Sequence, residues 1–156
     1  MSDLRELVAG LGHANVRTLL NSGNVVFEAK RASPGKLALE IRAGIEESFG
    51  IAANVVVVTA AELCAAVDEN PLHVGDPSRF LVAFVAAPAA LEPVKALEGE
   101  SWAPDRLAVG TRAAYIWCAN GILESKLLRA FSRATGESAT TRNWSTVLKL
   151  NAAISD

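Results

Sequence analysis

The chain has 156 residues, of which 51% are hydrophobic and 21% charged, with a net charge of −2. That length and balance allow a well-buried core without disulfide or metal staples, and they exclude large-scale disorder and a generic polyanion-binding tail. The charge is unevenly spread, with 8 basic and 13 acidic groups in residues 1–100 against 7 and 4 in residues 101–156, so the C-terminal third is locally basic.

Asp3, three residues ahead of Glu6, and the apolar positions Leu4, Leu7, Val8 and Leu11 predict a first helix over residues 3–11, stopped by Gly12. NVRTLL and NVVFEA are β-rich runs joined at Asn21-Ser22-Gly23-Asn24, which predicts a hairpin whose turn exploits the tolerance of Gly and Asn for positive φ. Ser33 and Pro34 open a second helix, which Gly50 closes. NVVVVT, residues 54–59, predicts a strand, and Thr59 with Glu62 a capping box at the head of a short helix that ends at Asn70-Pro71.

The turn-rich residues 72–78 mark a junction between residues 1–71 and 79–156. Beyond it the pattern predicts a buried strand over 79–86, a short helix near 91–97, strands over 106–109 and 113–118, a helix over 124–134 and a last helix from Arg142 to about Ala152. The apolar run FLVAFVAAPAAL is too short to span a membrane and is broken by Pro88. The N-terminal MSDLRELV lacks the basic-then-apolar order of an export signal, and Cys64 and Cys118 read as reduced thiols, which together predict a cytoplasmic protein.

Two stretches in this order, LRELVAGLGHANVRTLLNSGNVVFE and TTRNWSTVLKL, resemble the hallmarks of the bacterial domain of unknown function 1697 family. The resemblance implies a small cytoplasmic α+β protein of two ferredoxin-like, βαββα-type lobes packed together, with no established activity, cofactor or partner. Members of that family begin with an apolar strand and a glycine-rich loop, which this sequence lacks, so the first lobe is expected without its first strand. Unpaired groups are then expected around the hairpin 16–28 or the strand 54–59, either satisfied in a homo-oligomer or removed by direct closure of those two strands.

Phosphate-loop, dinucleotide, nucleophile-elbow and zinc-type motifs are missing from the sequence, His13 and His73 stand apart, and no catalytic residue, metal ligand or cofactor site is legible. TTRNWSTVLKL raises a sharper question. With Thr141 as N-cap, Arg142 falls at the positive end of a helix dipole, a misplacement of about 0.3–1 kcal/mol. One reading is a basic helix-start site for an anionic ligand (nucleotide, phosphate or nucleic-acid backbone) built from Arg142, Asn143, Thr141 and Lys149 with Ser125, Lys126 and Arg129 of the preceding helix, and with Ser22 and Asn24 as a second, loop site. The other is an interaction or assembly protein completed by a partner strand, in which Arg142 is structural, paired with Glu124 or Glu137 and covering Trp144. In either case Trp144, Val147 and Leu148 form the apolar stripe that the last helix buries.

Overall fold

In the computed structural model the described residues are 2–20, 23–29, 32–73 and 75–155. The first half supplies α1 (Ser2–Gly10), β1 (Ala14–Leu19), β2 (Asn24–Glu28), α2 (Pro34–Phe49) and α3 (Ala60–Asp68). The second supplies β3 (Phe80–Val85), α4 (Glu92–Glu98), β4 (Arg106–Val109), β5 (Ala113–Trp117), α5 (Lys126–Thr135), β6 (Ala139–Asn143) and α6 (Trp144–Ile154). The fold is α+β.

Local chemistry sets most of the boundaries. Ser33 Oγ accepts from the Lys36 N–H at the start of α2, and Gly50 ends that helix at φ 66, with its N–H donating to the Glu46 carbonyl. At α3 the capping box forms in both directions: the Glu62 N–H donates to Thr59 Oγ1, and the Thr59 N–H to Glu62 Oε2. The hairpin forms with Leu19 opposite Asn24 and Arg17 opposite Val26.

Four antiparallel strands make the larger sheet, in the order β4-β5-β3-β6. With α4 and α5 as its crossings, β3 to β6 follow the β-α-β-β-α-β connectivity of a ferredoxin-like unit. Every residue of β3 is buried. Leu81, Ala83 and Val85 face a core with Leu91, Val94, Leu127 and Phe131, whereas Phe80, Val82 and Phe84 face another with Leu63, Ala66, Tyr115 and Val147. Because successive strand residues point to opposite faces, covering both faces requires the unbroken apolar run FLVAFV. Leu63 and Ala66 belong to α3, so that first-half helix packs against the second-half sheet, and Leu72, within the expected junction, is buried in the same core.

The structure departs from expectation at three places. Residues 141–143, expected to cap and open a helix, lie in β6, where Arg142 pairs opposite Val82, and Asn143 rather than Thr141 caps α6, its Oδ1 accepting from the Thr146 N–H. The β-branched threonines fit an edge strand, and the dipole conflict at Arg142 vanishes because the helix starts two residues later. On α6, Val147 is fully buried, but Trp144 is half-buried and Leu148 is 44% exposed, so the helix buries a narrower stripe than expected. Residues 54–59 belong to neither sheet. Strand propensity needs a partner edge to become a ladder, and here, among the described residues, a side-chain bond from Asn54 Nδ2 to the Ala139 carbonyl at 2.7 Å links the segment to β6 in place of a ladder.

Candidate functional site

Between the hairpin and the larger sheet opens a cavity of about 390 Å3. Val25, Val26 and Phe27 of β2 form one side and Val56, Val57 and Val58 the other. Leu37 of α2, Leu63 of α3, and Leu150 and Ile154 of α6 enclose it, and Thr140 and Arg142 of β6 add its polar end. The two sides share a property. Within the described residues β2 is laddered to β1 alone, leaving its outer edge open, and the backbone of residues 55–58 makes no hydrogen bond. The direct closure of hairpin onto residues 54–59 has not occurred. All six valine and phenylalanine side chains of these walls are half-buried, an apolar surface incompletely covered.

Arg142 ties this end of the cavity together. Its Nε donates to Asn24 Oδ1 at 2.7 Å, and its Nη1 donates to Thr140 Oγ1 at 2.9 Å and to the Thr141 carbonyl at 2.7 Å. Asn24, only 6% exposed, in turn donates from Nδ2 to the Leu19 carbonyl at 3.1 Å. The arginine thereby fastens the first residue of β2 to β6. Burial lowers its pKa, yet a guanidinium stays charged at any ordinary pH. Replacing Arg142 with Met removes these bonds, including the one that ties Asn24 to β6, at an expected cost of about 1–3 kcal/mol with faster amide exchange in β2. Unchanged β2 exchange in the variant would show that the hairpin is held elsewhere.

The other residues expected at an anion site are dispersed. Asn143 is engaged as the α6 cap, Thr141 lends its carbonyl to Arg142, and Lys149 projects from the exposed side of α6. Ser125 caps α5, accepting from the Leu128 N–H, and donates to Asp105 Oδ2. Lys126 is exposed, and Arg129 Nη1 donates to the Leu123 carbonyl. Because α5 packs through Leu127 and Phe131 on the face of β3 opposite Val82, the sheet separates Ser125, Lys126 and Arg129 from Arg142. The proposed internal partner Glu137 binds Arg42 instead, at 3.4 Å, and Trp144 packs its ring on Phe80. Of the loop pair, Asn24 lines the cavity, and Ser22 lies outside the described residues.

The cavity was only half legible in sequence. NVVVVT is uncharged and non-alternating, the signature of a strand covered on both faces, but nothing in the order of residues says that it stands apart from β2. His13, whose ring packs 4.8 Å from Phe27, has its Nε2 buried with no hydrogen-bond partner among the described residues. Cys64 and Cys118 are free thiols, and burial pushes the Cys118 thiol up. No helix among the described residues is long and apolar enough to cross a membrane.

A family model described as a protein of unknown function, DUF1697, matches residues 1–115. No curated protein matches the chain. The fold is similar to that of a conserved bacterial protein from Streptococcus pneumoniae, with a TM-score of 0.72 and 17% sequence identity over 97% of this chain and 87% of that one.

Proposed function

Since the chain belongs to the DUF1697 family, whose function is unassigned, its role has to be argued from the cavity, and we propose that the protein is an interaction module completed by an extended strand from a protein partner. The observation that carries this is the pair of apolar walls on either side of one cavity, the edge of β2 away from β1 and residues 55–58, neither of which is laddered to a further strand among the described residues. A strand seated there gives main-chain hydrogen bonds to both walls and covers their valines, which is strand addition applied on two edges at once. Each backbone group left unpaired in such a place costs about 1–3 kcal/mol once water is excluded, so the incentive to fill it is large. Arg142 is structural in this reading, holding the cavity's end in shape. The anionic-ligand reading asks α5 and β6 to converge, and the intervening sheet weighs against it.

Amide hydrogen exchange combined with light scattering tests the proposal. In dilute monomer the amides of residues 55–58 are expected to exchange rapidly, and adding a strand-forming apolar peptide should slow them together with those of β2. A dimer at micromolar concentration that protects the same amides would assign the strand to a second copy. Slow exchange in a dilute monomer would show that the chain closes the cavity unaided, and the proposal would fall.

A further inference from the structure

We infer that the turn at Ile122 and Leu123, with the α5 face behind it, docks peripherally on an anionic lipid bilayer. The two apolar side chains enter the interface, and Lys126, Arg129 and Arg133 lie against the headgroups. This surface is separate from the cavity, because α5 packs on the opposite face of β3. Strand acceptance and lipid docking therefore stand or fall independently.

The first observation is an apolar tip that the fold holds outward. Leu123 is 89% exposed, more than any other large hydrophobic side chain among the described residues, and Ile122 beside it is 38% exposed. A single exposed leucine is ordinary on a protein surface, and in a loose loop it can fold back onto its neighbours. Here the loop is fastened. The Ala119 carbonyl accepts from Arg79 Nη1 and the Ala119 N–H donates to Asp105 Oδ1, both at 2.9 Å. The Gly121 N–H donates to the Cys118 carbonyl at 3.0 Å, and the buried Ser125 donates from Oγ to Asp105 Oδ2 at 2.8 Å. Between these ties, residues Ile122–Glu124 form a single 3-10 turn. The exposure of Leu123 is thus built in.

The second observation is charge. The sequence of α5, KLLRAFSRAT, has three basic side chains and no acidic one, and all three are exposed. At 3.6 residues per turn they fall within an arc of about 60° and extend over about 10 Å, while Leu127 and Phe131 on the other side are spent on the core. Arg129 Nη1 donates to the Leu123 carbonyl at 3.1 Å, which sets a guanidinium beside the tip. Glu124 is the one carboxylate of the turn. On α4, packed beside α5, Glu92 pairs with Lys95 at 3.0 Å and Glu98 accepts from the Val109 N–H at 3.3 Å.

This combination fits a bilayer better than other anionic partners. Cations strung along a helix face match a plane of diffuse negative charge, and fluid acyl chains close around a protruding aliphatic tip without needing a matched pocket. A nucleic-acid backbone would satisfy the cations and leave Ile122 and Leu123 in water.

Sedimentation with phosphatidylglycerol vesicles and with phosphatidylcholine vesicles reads the partition. The protein should bind the first, not the second, and rising salt should release it. Leu123→Ser should weaken binding about tenfold, the transfer of one leucine side chain, and Lys126→Gln and Arg133→Gln about fivefold each. All three positions are exposed, so these variants keep the fold. Glu124→Gln should tighten binding. No binding to phosphatidylglycerol at low salt, or equal binding to both lipids, would overturn the docking surface. Salt-sensitive binding that Leu123→Ser leaves unchanged would overturn the inserted tip, reducing the contact to attraction between charges.

Discussion

Phe80→Ala is expected to destabilise the protein by about 3–5 kcal/mol, the cost of truncating a large aromatic in a core that cannot collapse around the space. Phe80 is 2% exposed, and its ring lies 6.5 Å from that of Tyr115 and 5.3 Å from that of Trp144, so one side chain joins the central strand to its neighbour and to α6. Trp144→Ala should cost less, roughly 1–2 kcal/mol, since half of that side chain stays in water in the folded state. Urea melts of the two variants rank them. A Trp144 variant as damaged as the Phe80 variant would mean that the helix, not the strand, carries the anchor.

Alkaline titration should expose a second large effect. Tyr115, the single tyrosine of the chain, is fully buried, and its hydroxyl donates to the Ala66 carbonyl. Burial, and after it the charge of Glu69, pushes its pKa from the ordinary 10.0 up to about 12. The folded protein keeps this proton through a range where the unfolded chain has lost it. The stabilisation is thus whole below the ordinary value and is lost as pH rises towards the folded one, each tenfold difference in proton affinity being worth about 1.4 kcal/mol. A decline approaching about 3 kcal/mol across that window is expected, and Tyr115→Phe should remove it while giving up the bond to Ala66. Phenolate absorbance of the folded protein, rising at the free-tyrosine value, would contradict the prediction.

The features that sequence reading located are those written in short-range chemistry. Ser33-Pro34, Gly50 and the Thr59–Glu62 pair each satisfy backbone groups within four residues, so the sequence alone specifies their geometry. The hairpin joint is similar: Gly23 takes φ 77, which other residues adopt at a cost. TTRN misled because threonine and asparagine serve both as caps and as strand-edge residues, and the decision rests on β3, whose Val85 pairs with Ala139 far along the chain. The dispersal of Lys126 and Arg129 away from Arg142 is likewise tertiary. Helical spacing put each on an exposed face, but which side of a sheet a helix packs on is not encoded in its periodicity. The valine run was recognisable as a strand sequence, and its isolation was not, since that depends on what fails to reach it.

That run has a bearing on solubility. From Ile51 to Thr59 the chain carries no charge and no proline, and four consecutive valines stand with neither backbone edge laddered among the described residues. Short segments of this composition are the ones that stack in register into cross-β fibrils, and natural edges usually guard against it with a lysine, a proline or a bulge. Here no such gatekeeper is built into the segment, so under the strand-accepting reading an occupant seated between β2 and the valines would also protect the molecule against aggregation.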